Sequence, residues 1–278
     1  HQHCSSSHHR SEHILELLAE GVSLLKGINI NPLGAASGFG VPLPLDRSYT
    51  AELLGFSKVQ RNPINVQNSR GRMELRALSW LSEISSLVEK MAWDIQLFCT
   101  SEFGFISLED KFTTGSSIMP QKRNPDVAEL LRARSSMIRG YRSELEWIVS
   151  KLPSSYHRDF QLSKASTQNA FSNSIECLVV LERLTSGMTF NLDAMSKAMT
   201  LDLFATYDVY RRVKEGMAFR DAYLATGKEY REGTLKVDQV ASEVEFLHGE
   251  VARESQEFNK EFQTIKLEIS EITSAIAK

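Results

Sequence analysis

Cysteine is scarce in this sequence of 278 residues. The three cysteines, Cys4, Cys99 and Cys177, are odd in number and far apart, and no two of them form a C-x-x-C pair. This pattern argues against a disulfide framework and against a cysteine-based zinc site. It instead predicts free thiols in a reducing compartment, so we expect a cytoplasmic protein.

Long apolar runs and a strong excess of one charge are also missing. No run of about 18 apolar residues occurs, so we expect no membrane partner. Lys and Arg together number 32 against 35 Asp and Glu, which gives a formal net charge of −3. This balance lacks the basic footprint that binding to a phosphate backbone requires, so we expect no nucleic-acid partner either.

The first ten residues are poor in apolar side chains and rich in His and Ser. Three readings stay open: a metal-binding tract, a cloning remnant, or the cut end of a longer chain. A metal site is the least favoured of the three, because acidic partners and a regular helical spacing of ligands are missing. We therefore predict no metal and no cofactor.

Proline is rare, and all seven prolines lie at or before Pro153. Residues 72–103 contain neither Gly nor Pro, and their apolar residues recur at steps of three and four. This spacing predicts one long amphipathic helix, which would span about 48 Å at about 1.5 Å per residue. The other long stretches between breakers have the same periodicity, so we predict an all-α protein.

Two further long helices are predicted to pack with the first in a bundle. One begins at Asn124 as the N-cap, has Pro125 in its first helical position, and stops before Pro153. The other covers residues 163–186.

Shorter elements surround these rods. Frequent Gly, Pro and Asn predict an excursion over residues 27–68 with a short helix at 48–54. Beyond Gly187, helices are expected at 191–200, 202–215, 218–231 and 235–276. We therefore divide the chain into a central bundle domain, residues 1–189, and a small helical C-terminal domain, residues 190–278.

The most informative stretch is 115–125, with the sequence GSSIMPQKRNP. Small residues and hydroxyls form a loop that runs into a helix start, where Asp126 and Glu129 suit the first turn. Free N–H groups of that turn, together with Lys122, would bind a carboxylate of a small molecule. The loop composition also favours movement.

This stretch closely resembles the signature G-S-S-x-M-P-x-K-x-N-P of the fumarase/aspartase superfamily. Gln121 and Asp126 resemble the argininosuccinate lyases within it. Three more segments resemble the same lyases in order and rough spacing, at residues 31–56, 152–164 and 203–228. The resemblance implies the superfamily's long-helix bundle and the release of fumarate by elimination.

Roles for individual residues follow from the resemblance alone. It implies Ser116 as the base that removes a proton, and Glu129 as the partner of a histidine from another subunit. Substrate ligands are implied at Thr114, Ser117, Lys122, Asn124, Tyr156, Gln161 and Lys164. Taken without the resemblance, the same residues would be ordinary: a Ser-rich turn, a solvated first-turn carboxylate and a surface loop.

The implied activity is that of argininosuccinate lyase, acting on a dicarboxylate as a homotetramer whose active sites are shared between subunits. Two motifs of the superfamily's N-terminal region are not found intact, so we expect a chain that lacks the N-terminal domain and whose own activity is uncertain. No catalytic histidine is assigned, although His1 and His3 are candidates. The alternatives are another fumarate-releasing enzyme, such as adenylosuccinate lyase, and a noncatalytic scaffold related to the lens crystallins.

Overall fold

The structure, a computed structural model, describes the backbone of residues 2–235 and 240–276. Helices dominate it, as predicted. The α-helices of the described residues are, in chain order, α1 (Gln2–Ile28), α2 (Arg47–Leu53), α3 (Pro63–Asn68), α4 (Arg72–Phe98), α5 (Asp126–Val149), α6 (Ser163–Ser186), α7 (Leu192–Lys197), α8 (Ala205–Lys214), α9 (Phe219–Arg231) and α10 (Val240–Ile276). None of them has the length and hydrophobicity of a membrane span.

The central bundle consists of α4, α5 and α6. Their apolar stripes meet in two clusters, one around Leu78, Ile138 and Leu145, and the other around Ala92, Leu131 and Leu184. Because apolar residues recur every three to four positions, each helix buries one face against the other two along its whole length. The helix starts and ends, which carry the polar motifs, therefore lie at the two ends of the bundle.

Helix α1 packs on the outside of α4. The indole Nε1 of Trp80 donates a hydrogen bond of 2.7 Å to the carbonyl of Leu17. One turn later the helices come so close that a Cβ at Gly21 would lie 2.6 Å from the Trp80 ring. The last helix, α10, covers another face of α1, where Lys26 pairs with Glu268 at 2.9 Å.

Short strands, which periodicity did not predict, tie the connections together. The strands are β1 (Ile30–Asn31), β2 (Lys58–Val59), β3 (Ile106–Leu108), β4 (Thr114–Gly115), β5 (Arg123–Asn124) and β6 (Met188–Phe190). Strands β1 and β2 pair in parallel, whereas β3 pairs with β6 and β4 with β5 in antiparallel fashion. Two or three residues are too few to show an alternating pattern in a sequence.

Two predicted helix ends were wrong. Helix α4 stops at Phe98, five residues early, because Gly104 turns the chain with a φ of 58° and the ring of Phe98 packs against Phe103 and Phe105. Helix α5 starts at Asp126 and ends at Val149, three residues inside the predicted limit. The third rod, 163–186, was predicted correctly.

The remaining helices follow the predicted order with shorter bounds. The excursion over residues 27–68 holds the predicted short helix as α2 and a second one, α3, capped by Asn62. The predicted start of the last helix, at 235, precedes residues outside the described range. The helix Gln2–Ile28 was not anticipated from the His- and Ser-rich opening. The domain division at residue 190 stays a prediction.

Helices α8 and α9 are joined by a buried carboxylate. Asp208 accepts hydrogen bonds from Arg211, Arg212 and Thr226, and Arg212 reaches on to Glu229 at 2.6 Å. Burial acts to raise the pKa of Asp208, but these hydrogen bonds outweigh it and hold the pKa below its ordinary value. The ionised carboxylate thus fixes the angle between the two helices.

Candidate active site

Residues 113–122, hereafter the signature loop, are closed at their base by a short antiparallel hairpin that has two residues in each strand. Thr114 of β4 lies opposite Asn124 of β5, and Gly115 lies opposite Arg123. The hydroxyl of Thr114 also bonds to the carboxylate of Asp126 in the first turn of α5. These contacts hold the two ends of the loop together at the start of the helix. The middle of the loop, residues 117–121, is exposed to solvent.

Ser116 lies in the turn that follows β4. Its Oγ accepts hydrogen bonds from the backbone N–H groups of Ile118 and Met119, at 3.2 and 3.1 Å. Two N–H donors aimed at one oxygen would favour the negative charge of an alkoxide at that atom. Ser117 is exposed, and no hydrogen bond of its hydroxyl to a described residue is present.

The predicted cap of α5 was wrong. Asn124 belongs to β5, and Pro125 is the N-cap residue rather than the first helical one. Because Asn124 pairs with Thr114 across the hairpin, its backbone does not have the position from which a side chain caps the helix. Its side chain is consequently not engaged as a cap, and the implied role as a substrate ligand stays a prediction.

Lys122 and Glu129 flank the hairpin. Lys122 is exposed at the second end of the loop, where its N–H donates to the carbonyl of Met119. Glu129, one turn into α5, accepts from the amide of Gln96 on α4 at 3.3 Å. The side-chain oxygen of Gln96 accepts a hydrogen bond of 2.7 Å from Arg132. The guanidinium of Arg132 lies over the ring of Trp93. Gln96 thus orients the carboxylate, and nothing in the sequence singled it out.

The second group of predicted ligands lies on the connection between α5 and α6. Residues 153–164, hereafter the Tyr156 segment, form a turn and a short 3₁₀ helix (Arg158–Gln161) before the first turn of α6. Tyr156, Gln161 and Lys164 are all exposed on this segment. Phe160 anchors it, because its ring is buried at 7% exposure.

The two groups are at opposite ends of the bundle. The signature loop precedes the first residue of α5 and the Tyr156 segment follows its last residue. The 24 residues of this helix span about 36 Å at 1.5 Å per residue. A dicarboxylate of a few ångströms cannot bridge that distance, so within one chain the structure does not bring the predicted site residues together.

The comparisons with protein families and with curated proteins both give lyases. A family model described as "Lyase" matches residues 7–140. An argininosuccinate lyase of Sorangium cellulosum is 42% identical over 219 residues, which cover 77% of this chain and 51% of that protein. The argininosuccinate lyase of Xylella fastidiosa is 42% identical over 218 residues, covering 78% of this chain and 49% of that protein.

Among solved structures, an EDDS lyase in complex with formate has the same fold. Its TM-score is 0.68 at 19% identity, and the match covers 95% of this chain and 63% of that one. This chain belongs to the argininosuccinate lyase family. It spans about half the length of the argininosuccinate lyases that it matches.

Membership in the lyase family supports the resemblance but leaves the individual site residues untested. The base, the carboxylate partner and the seven ligands inferred for a lyase stay predictions. His1 lies outside the described residues, as does the side chain of His3, so neither candidate histidine can be placed. In the described part of the chain, no cluster of three or more His, Cys, Asp or Glu has a geometry suited to a metal ion.

A thiol lines a cleft beside the hairpin. Cys99 lines a cleft of about 210 Å³ together with Thr113, Arg123 and Pro125. Burial raises the pKa of Cys99 to about 11, so the neutral thiol prevails at physiological pH and a thiolate nucleophile is not formed there. Cys177 is buried in the bundle, and burial raises its pKa as well.

Proposed function

We propose that this chain supplies the second half of an argininosuccinate lyase, which splits argininosuccinate into arginine and fumarate. The observation that carries the proposal is the 42% identity to argininosuccinate lyases over about three quarters of the chain. The signature loop and the Tyr156 segment both fall in a chain that resembles these enzymes throughout its bundle. Elimination of the nitrogen group requires no redox step, and no cofactor is proposed.

The difficult step is removal of a proton from the carbon beside a carboxylate. The resulting carbanion is stable enough only if its charge is delocalised into that carboxylate. Fixed hydrogen-bond donors and cations around the carboxylate must then stabilise the extra negative charge. Lys122, Asn124 and the backbone N–H groups at the hairpin are suitable for this purpose because the pairing of β4 with β5 holds this part of the chain beside the start of α5. Their reorganisation during the reaction would therefore be small.

Ser116 is the proposed base. A serine hydroxyl is a weak base at neutral pH, so its alkoxide needs nearby positive charge and the exclusion of water. The N–H groups of Ile118 and Met119 already point at its oxygen, and Lys122 follows on the same loop. Closure of the signature loop over the substrate would remove the water.

The electrons left by the proton then form the carbon–carbon double bond of fumarate. The bond from the neighbouring carbon to the arginine nitrogen breaks, and that nitrogen gains a proton from a general acid. In the proposed site Glu129 supports a histidine of another subunit in this task. The amide of Gln96 on α4 donates to the Glu129 carboxylate and so restrains its orientation.

Tyr156, Gln161 and Lys164 are proposed to bind the substrate in an active site completed by a different chain. The distance between the two ends of α5 supports this arrangement, because each end can only contribute to a separate site. Thr114 and Ser117 would add hydroxyl contacts at the signature loop. The proposed assembly is a homotetramer located in the cytoplasm, in keeping with the free thiols of Cys99 and Cys177.

Exposed apolar side chains on the bundle support self-association. Trp147, Leu130 and Ile175 are 67%, 65% and 60% exposed, although they lie on the long helices α5 and α6. Large apolar side chains this exposed on the long helices of a bundle favour burial against another chain. Burial between identical chains would remove them from water.

We therefore expect sedimentation velocity to show a dimer or a tetramer at micromolar concentration. Replacing Ile175 by Glu should shift the protein toward a monomer, because a charge would be buried in the interface. Leu224→Glu is the matched control, since Leu224 is 57% exposed on α9, outside the bundle, and should leave the assembly unchanged. A folded wild-type monomer would contradict this part of the proposal.

The activity is tested by the ultraviolet absorbance of fumarate. The present sequence is joined to the N-terminal half of the Sorangium cellulosum relative, so that the protein has the length of the enzymes it matches. Argininosuccinate should then release fumarate, whereas adenylosuccinate should not. Release from adenylosuccinate alone would assign a different leaving group, and no release from either would refute the enzyme proposal.

A further inference from the structure

The Tyr156 segment packs against the junction between α3 and α4, which contributes Asn68 and Arg70. The side-chain oxygen of Asn68 accepts a hydrogen bond of 2.8 Å from the backbone N–H of Ser155. Ser155 has a φ of 100°, which lies in a region that a serine rarely adopts. The bond from Asn68 therefore stabilises a backbone conformation that the Tyr156 segment would not take on its own.

Arg70 makes the second contact of this junction. Its guanidinium carbon lies 5.2 Å from the ring centre of Tyr156 and 4.9 Å from that of Phe160. Both distances are in the range of a cation–π interaction. Arg70 is half-buried, and its guanidinium has no hydrogen bond or ion pair with another residue in the described ranges. The two rings are thus its partners within those ranges.

The contacts of Arg70 connect a fixed ring with an exposed one. Phe160 is buried beside Gly71 and Val149, whereas Tyr156 is 43% exposed. Because one planar guanidinium contacts both rings, the position of the buried ring restrains the exposed one. Tyr156 would otherwise have the rotational freedom of a surface side chain, and binding a substrate would have to restrict it.

We propose that Arg70 is a positioning residue for substrate binding, which holds Tyr156 and the segment that carries Gln161 and Lys164 ready for a dicarboxylate. The inference rests on the proposed function for the identity of the ligand. Arg70 acts through Tyr156 and not on the reacting atoms. Its loss should therefore weaken substrate binding more than it slows the chemical step.

The first test uses this chain without any ligand. Hydrogen exchange of the amides in 153–162 should accelerate about fivefold or more in Arg70→Ala, as expected when two cation–π contacts of the segment are lost. Arg72→Ala is the matched control, because this exposed arginine is two residues away and has no ring contact with the segment. Equal exchange in the two variants would overturn the inference.

The second test separates positioning from a general loss of structure. In the joined protein of full length, Arg70→Ala should raise KM for argininosuccinate about tenfold and change kcat less than about threefold. Arg70→Lys, which keeps the charge but not the planar group, should give an intermediate KM. A fall in kcat with an unchanged KM would indicate a structural role only and overturn the inference.

Failure of the inference can be distinguished from failure of the proposed function. A wild-type joined protein that releases no fumarate would refute the function. The exchange experiment would still decide whether Arg70 holds the segment, since it requires no substrate. Conversely, an active wild type with equal exchange in both variants would leave the function intact and remove the role of Arg70.

Discussion

Replacing Ser116 by Ala should lower kcat for argininosuccinate at least about a hundredfold in the joined protein, a loss of about 2.7 kcal/mol of transition-state stabilisation. The substitution removes the oxygen that receives the N–H groups of Ile118 and Met119 but almost no volume. KM should change little, because the oxygen would act mainly in the transition state. Steady-state measurement of fumarate release gives both constants.

Ser117→Ala is the matched control for this prediction. The two serines are adjacent, but the Ser117 hydroxyl receives no backbone donor in the described structure and is exposed. Removal of the Ser117 hydroxyl should lower kcat much less than removal of the Ser116 hydroxyl. Turnover of Ser116→Ala near the wild-type rate would contradict the assignment of the base, even if the enzyme proposal held. Equal losses in both variants would point to the shape of the loop instead.

Replacing Gly71 by Ala should produce the largest loss of stability among the glycine positions of the bundle. Gly71 has φ 75° and ψ −34° at the start of α4, where a Cβ would lie 2.3 Å from Val149 and 3.3 Å from Phe160. Left-handed strain costs about 1–2 kcal/mol and overpacking about 1–3 kcal/mol. Together these predict a loss of about 2–5 kcal/mol, and thermal unfolding should begin about 5–15 °C lower.

Gly104→Ala separates the two causes. Gly104 also has a positive φ, of 58°, but no atom lies within 4 Å of a Cβ placed there. Its substitution therefore introduces strain without a clash, and the unfolding temperature should fall by only a few degrees. Equal losses of stability in Gly71→Ala and Gly104→Ala would show that the close contacts of position 71 with α5 and the Tyr156 segment add nothing to the strain of the backbone.

The rods of the bundle could be predicted from the sequence because their apolar residues repeat over many turns. Residues 163–186 form α6 as predicted, and α4 and α5 were wrong only at their ends. The residues at which helices begin and end are harder to predict, because a few local contacts determine them. Helix α4 stops where three phenylalanine rings cluster, and those rings are not periodic in the sequence.

The hairpin at the signature loop shows the same limit. Asn124 followed by Pro125 is a typical helix start, yet Asn124 is held in a strand because Thr114 lies opposite it. Pairing between residues ten apart leaves no trace in the local composition. The loop and the helix start nevertheless remain adjacent, as the sequence predicted, and the carboxylate site between them stays a prediction.

The partners of the site residues could not be read from the sequence. Gln96, Asn68 and Arg70 lie 33, 87 and 86 positions from the residues they contact, Glu129, Ser155 and Tyr156. A single sequence, taken alone, contains no signal for contacts of that separation. The order of the motifs along the chain did, however, predict that the two groups of candidate ligands lie on either side of one long helix, and α5 separates them in the structure.

Helix α5 has a predicted group of substrate ligands beyond each of its ends, and in the proposed enzyme this limits how the chain can change over time. One residue added within α5 would advance its far end by about 1.5 Å and rotate it by about 100° relative to the signature loop. In the proposed assembly, the two predicted groups would then be displaced relative to each other, and two different active sites would be affected. The connecting loops can gain or lose residues at far less cost. We therefore infer that the length of α5 is under stronger constraint than the identity of most residues within it.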